Sequence, residues 1–227
     1  MAAHFTPELF TFMRQLKRNN DRVWFEKNRD RYLDVVRDPM LQFISEFGPK
    51  LRTVSRHFVA DPRPQGGSMF RIYRDTRFSK DKRPYKTAAA AQFRHERGKD
   101  VHAPGFYLHL GVDGVFFGGG LWHPDRDTLA MVRHAIVDQP ARWRRVVSSK
   151  AFREGYELGG DSLKRPPRGF DPESPLIEDI KRKDFYWHAS MDESAACAPD
   201  FLDRYARACR AGAPLVRFLA DATDLEF

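Results

Sequence analysis

Apolar residues recur at helical spacing through the first quarter of the chain. Thr6-Pro7-Glu8 suits a helix start, with threonine as N-cap, proline in the first turn and an acid beside it. Leu9, Phe10, Met13 and Leu16 then fall three and four apart and predict a helix that stops at Asn19-Asn20. Asp21 predicts the cap of a second helix, whose apolar face carries Trp24, Phe25, Tyr32, Val35 and Val36. Pro39 is expected to interrupt it. Met40, Phe43, Ile44, Phe47, Leu51 and Val54 continue the period, with a kink expected at Pro49. Residues 1–60 therefore read as helical, and their aromatic side chains as core.

Beyond a Pro- and Gly-rich loop at 60–68 the period becomes two. Phe70 and Ile72 alternate with Arg71, Tyr73 and Asp75, a short strand pattern that runs into the polar turn Ser79–Arg83 and Pro84. The stretch 87–94 holds four successive alanines, which favour a helix; Pro84 and Gly98 leave little room, so a strand is predicted. Residues 105–111 (GFYLHLG) and 115–121 predict two more strands. Asp113-Gly114 between them is expected to form a type I′ hairpin turn. Helices follow near Asp125 (Leu129, Val132 and Ile136 inward) and at 141–152, then a strand at 185–189 and terminal helices at 194–211 and 214–222. The segment 159–175, with four prolines and three glycines, is expected to be a surface strap rather than a lid. Strands joined by a hairpin, with helices before and after, imply an α+β fold with a mainly antiparallel sheet flanked by N-terminal and C-terminal helices. That order argues against a doubly wound nucleotide-binding fold. Without repeats or composition shifts, one domain over 1–227 is expected. It comprises a helical region over 1–60, a sheet-containing region over 68–190 and C-terminal helices over 194–222.

Charge changes this picture at one place. The chain carries 39 Lys and Arg against 31 Asp and Glu, a formal +8. Between Arg71 and Lys86 lie seven cations (Arg71, Arg74, Arg77, Lys80, Lys82, Arg83, Lys86) and two acids (Asp75, Asp81), a local excess of +5. On extended backbone Arg71, Tyr73, Asp75 and Arg77 share one face, while Arg74 joins Phe70 and Ile72 and should be part-buried against a carboxylate. The candidate anion-binding set is Arg71, Tyr73, Arg77, Lys80, Lys82 and Lys86. Guanidinium forks suit phosphate oxygens, and Tyr73, Phe78 or Tyr85 offer faces for a base. A polyanion, either nucleic acid or a phosphorylated small molecule, is the expected partner. The bland alternative is a basic loop closed on Asp75 and Asp81 with no ligand.

An enzyme is the other alternative: a metal-dependent phosphoester hydrolase or nuclease with Asp75 and Asp81 on Mg²⁺ and Lys82 beside them. Asp81 and Lys82 are adjacent, so a strand would turn them to opposite sides, which speaks against it. Gly118-Gly119-Gly120 before a helix could admit a phosphate to the backbone; a bulge or tight strand crossing explains it equally well. His123 follows that run and is the candidate general acid or base, so the catalytic candidates are Asp75, Asp81 and His123. His102, His109, His123 and His188 show no H-x-H or H-E-x-x-H spacing, and neither a metal nor a cofactor is expected. Ser68, Ser79 and Ser148 lack a nucleophile-elbow context.

Cys197 and Cys209 lie outside any C-x-x-C spacing and read as reduced, packed thiols. Glu8 interrupts the apolar start, and no uncharged run reaches membrane-spanning length, so a cytoplasmic protein without membrane contact is expected. The motif Arg71-x-x-Arg74-Asp75-x-Arg77-Phe78, followed by Asp81-Lys82 and Tyr85, resembles the signature of a mainly bacterial family catalogued as domain of unknown function 2461. Asn19-Asn20, Trp24-Phe25, Asn28 and the stretch Gly118–Pro124 extend the resemblance over most of the chain. It implies one coherent unit of this length and carries no activity with it.

Overall fold

The computed structural model describes residues 3–98 and 102–227. The helical start is observed: α1 (Pro7–Arg18) buries Leu9, Phe10, Phe12, Met13 and Leu16 on one side. Asp21 caps α2 (Arg22–Lys27), its Oδ1 accepting the Trp24 N–H at 2.9 Å. After α3 (Arg29–Tyr32) comes a π-helical turn, Leu33–Arg37, and then α4 (Asp38–Arg52). Pro39 does not interrupt the chain. It sits in the first turn of α4, where its missing N–H leaves no bond unmade, and the wider π turn absorbs the change in register.

The sheet follows. β1 (Ala88–Arg94), β2 (Gly105–Gly111) and β3 (Gly114–Leu121) form an antiparallel meander. Helices α5 (Arg126–Asp138), α6 (Pro140–Val147) and α7 (Lys150–Glu154) lead to a short β4 (Glu157–Gly159), α8 (Ile177–Ile180), β5 (Phe185–Met191), α9 (Glu193–Ala196) and the long α10 (Phe201–Ala222). The order is β1-β2-β3-β5-β4 with every pairing antiparallel. This is an α+β fold with helices at both ends of the chain. The helix expected at 141–152 is split at Ser149, whose backbone is extended; of the helix expected at 194–211 the start is the separate α9, and its remainder joins the one expected at 214–222 in α10, which carries Pro214 within it.

Two local expectations fail. Residues 70–75 do not form a strand; the segment folds back on itself, with Arg74 N–H donating to Pro84 O and Lys86 N–H to Ile72 O, both at 2.8 Å. Alternation survives all the same, with Ile72 buried and Arg71, Tyr73 and Asp75 exposed. The β2–β3 turn is not type I′, since neither Val112 nor Asp113 has positive φ and Gly114 alone takes +141°.

The inner face of the sheet, including Phe93, Phe106, Leu108, Phe117 and Trp187, packs beneath α4 and α10 in one continuous core. Phe47 meets Phe93 edge-on at 4.7 Å, and Tyr205 of α10 meets Phe117 at 5.9 Å. Among the described residues no helix is long and apolar enough to cross a membrane.

Glycine in β3 is demanded by space: a Cβ on Gly118 would stand 2.2 Å from the Trp187 carbonyl oxygen. Gly118→Ala should therefore cost about 2–3 kcal/mol. Gly48 lies inside α4 with its nearest neighbour, Ala60 Cβ, at 3.8 Å, so Gly48→Ala should stabilise by about 0.5–1 kcal/mol. Urea denaturation of both variants checks the contrast, and equal effects would contradict it.

Candidate functional site

Strand register lines up the outer face of the sheet. One rung runs Gln92, Tyr107, Gly118, His188 and Glu157; the next, Ala90, His109, Phe116 and Ser190; a third, Arg94, Gly105, Gly120, Tyr186 and Gly159. Glycine at 118 and 120 leaves the middle of this face without side chains. The hollow becomes a cavity of about 740 Å³ with a backbone floor and ring walls from Tyr107, Phe116 and Tyr186. Lys17 closes it from the end of α1, and Phe70, Arg74, Asp81, Arg83 and Lys86 close it from the folded-back segment.

Two features of the wall carry chemistry. Tyr107 Oη lies 3.0 Å from His109 Nδ1, and His109 Nε2 lies 3.0 Å from Asp113 Oδ1. The hairpin turn returns Asp113 to the ring, and Gly111 leaves the room: a Cβ there would stand 2.5 Å from His109 Nε2. Phe116 stacks on the imidazole at 4.3 Å. The second feature is Lys86. Its Nζ stands 5.1 Å over the Phe70 ring, and it makes no ion pair with any described residue. Burial, and then repulsion from Arg71, hold its pKa below the usual lysine value. Nearby, His188 has a buried Nδ1 with no hydrogen-bond partner among the described residues.

The family model described as Conserved hypothetical protein (DUF2461) matches residues 8–218. The chain belongs to this family. The matched span starts in α1 and ends within α10, so it includes every residue that lines the cavity. No curated protein and no solved structure matches the chain.

The sequence candidates of this family member fall into two groups. Lys86 lines the cavity; Arg71, Tyr73, Arg77, Lys80 and Lys82 do not. Arg77 is spent on Asp75, Nη2 to Oδ2 at 2.7 Å and Nε to Oδ1 at 3.0 Å, and Lys82 donates to the Thr76 carbonyl at 2.9 Å. Tyr73 packs on Tyr85 at 5.3 Å. Arg74 pairs with Asp81 at 2.7 Å, and Arg83 takes the same carboxylate at 2.7 Å, so both rim cations share one acid.

The three catalytic candidates do not meet. Asp81 is on the cavity rim, Asp75 is outside with Arg77, and His123 sits exposed at the end of β3 with φ +46°. The His123 backbone N–H donates to buried Asp184 at 2.7 Å, a corner-holding role. With Asp75 and Asp81 each spanned by guanidinium groups, the donor set for a Mg²⁺ ion is poor. Gly118–Gly120 lie within β3, in register with both neighbouring strands, and α5 opens later, where Asp125 caps Thr128 N–H at 2.8 Å. The phosphate-loop reading of that run is therefore replaced by a cavity floor. The four histidines named from sequence do not converge, although His109 and His188 share the cavity. No residue of 160–175 lines it.

Tyr107 and His109 escaped the sequence reading as a pair. Their spacing of two on a strand puts them on one face, and Asp113 in the adjoining turn was the remaining signal.

The Arg74–Asp81 pair has side chains 27% and 36% exposed, and Arg83 would remain on Asp81 without Arg74. Arg74→Ala should cost about 1 kcal/mol in urea denaturation, and a loss above about 3 kcal/mol would mark a buried pair instead. Hydrogen bonds from Arg77 hold the Asp75 carboxyl down at about 2. Its folded value lies below the unfolded one of about 3.9, so this contribution is complete above about pH 4 and is lost as pH falls towards 2. Carbon NMR titration of Asp75 should show that low midpoint, and Arg77→Ala should return it to the ordinary carboxylate range.

Proposed function

We propose that the protein binds a phosphorylated small molecule with a planar moiety, held in the cavity on the outer face of the sheet. The observation that carries this reading is Lys86, a half-buried cation with no carboxylate on it among the described residues, set in an aromatic wall. A desolvated charge is costly unless something completes it, and an anionic ligand does so. The cavity volume of about 740 Å³ suits one small molecule. The rings of Tyr107, Phe116 and Tyr186 offer stacking surfaces. A nucleic-acid strand fits less well. Arg77 and Arg83, on the exposed segment, are held by Asp75 and Asp81, whereas strand binding favours an open run of free cations beside successive rings.

Isothermal titration with inorganic phosphate, sugar phosphates and nucleoside monophosphates tests this reading. At least one phosphorylated compound should bind, more weakly as salt rises. Lys86→Met should weaken that binding about tenfold or more, close to 1.4 kcal/mol, and Arg77→Ala should leave it unchanged. Tighter binding of single-stranded DNA, lost in Arg77→Ala and kept in Lys86→Met, would move the site to the exposed segment and refute the cavity.

A further inference from the structure

The wall of the cavity contains a directed chain of hydrogen bonds. An ionised Asp113 can only accept, so its 3.0 Å contact puts a hydrogen on His109 Nε2. In the neutral ring Nδ1 then holds a lone pair, and Tyr107 O–H donates to it across 3.0 Å. The phenol proton points along the chain, and the oxygen keeps lone pairs for a ligand. Phe116 stacked at 4.3 Å and 13° fixes the plane of the imidazole.

We propose that Tyr107 is a catalytic base, with His109 and Asp113 as the positioning residues that take its proton onward, and that the reaction is proton abstraction from a cavity ligand. This rests on the cavity being a ligand site. The ligand's C–H or O–H bond breaks and its hydrogen goes to Tyr107 Oη. At the same time the Tyr107 hydrogen passes to His109 Nδ1, making an imidazolium held by Asp113. The electron pair stays on the ligand as an anion, within a cavity that Lys86 makes positive. When the anion leaves, the imidazolium returns its Nδ1 hydrogen to Tyr107 Oη while the hydrogen taken from the ligand passes to cavity water, which restores Nε2–H against Asp113 and consumes no oxidant, reductant or second substrate. The substrate class is a compound with an acidic hydrogen beside an electron-withdrawing group. Burial, with the Asp113 charge second, pushes the Tyr107 phenol up to about 12, so the relay and not a free tyrosinate supplies the base near neutral pH.

Lys17 from α1 acts on Asp113, and Lys86 lies in the segment before β1. On the rung of His109 stand Ala90 from β1, Phe116 from β3 and Ser190 from β5; on the rung of Tyr107 stand Gln92, Gly118 and the titratable His188, and the paired Arg74, Asp81 and Arg83 line the same cavity. For Asp113, burial raises the pKa, but the His109 hydrogen bond and charge, with Lys17 beyond, leave it lowered.

The probe is a nitrobenzisoxazole. Loss of its ring C–H proton breaks the N–O bond and gives a coloured cyanonitrophenolate, an anion suited to Lys86. Wild-type protein should accelerate this at least about a hundredfold over buffer, with a rate that rises with pH to a plateau. Tyr107→Phe should lose the acceleration while still binding the product by titration. Asp113→Ala, checked as folded by circular dichroism, should lower the rate and lose the Nε2–H tautomer of His109 that nitrogen-15 NMR should show in wild type, and Asp113→Glu should restore both in part. A rate loss in Asp113→Ala with that tautomer unchanged would mark a purely structural role for Asp113 and overturn the relay. Equal rates for wild type and Tyr107→Phe, or no acceleration with the product bound, would overturn the base while leaving the cavity reading intact. Failure of wild type to bind either the product or any phosphorylated compound would overturn both.

Discussion

The indole of Trp187 is fully buried, with Tyr156 stacked on it at 4.4 Å and two glycines drawn up against it, Gly119 from β3 and Gly212 from α10. A Cβ on Gly212 would stand 2.1 Å from the ring, and one on Gly119 3.0 Å from its Nε1. Those absent side chains let α10 lie directly on the centre of the sheet. The same close approach has a consequence on the other side. With the Trp187 carbonyl filling the space beside Gly118, the outer face of β3 carries no side chain there, and the sheet is hollow at that point. Core packing and the cavity thus arise from one crowding constraint.

Electrostatics divides the basic segment in two. Short-range pairs form where an aspartate lies two residues before an arginine: Asp75 with Arg77, Asp81 with Arg83, and also Asp61 with Arg63. Each such turn neutralises its own cation, and in exposed positions these pairs stabilise little. Lys86 escapes this arrangement because the chain has already turned inward at Tyr85, which stacks on Phe25 at 4.1 Å. Its ammonium is carried to the cavity instead of to solvent. Charge density along the sequence is therefore a poor guide to where free positive charge sits, since neighbours cancel it.

Asp184 follows a different rule. It is 2% exposed, yet it accepts from the His123 and Asp161 backbone N–H groups, so the buried carboxylate ties the exit of β3 to the loop after β4. His123, with positive φ, belongs to that corner. Its position beside the glycine run in sequence suggested chemistry, but it is not among the residues that line the cavity.

Much of the fold was legible because its signals are local. Helical period and capping residues marked α1, α2 and α4, and alternation with a turn marked β2 and β3, since each depends on residues within a few positions of one another. The family motif and the cations were legible for the same reason. Element boundaries set by proline were misjudged at Pro39 and Pro214, because the surrounding packing decides whether a helix begins at, or continues through, such a residue. The site was legible only in fragments. Tyr107, His109, Gly118 and His188 become neighbours through strand register, and Lys86 becomes a cavity residue because 72–74 pairs with 84–86. Sequence alone determined which residues could bear charge, stack or turn the chain. The tertiary structure decided which charges were cancelled and which side chains shared a hollow, because both depend on contacts between segments that no local pattern encodes.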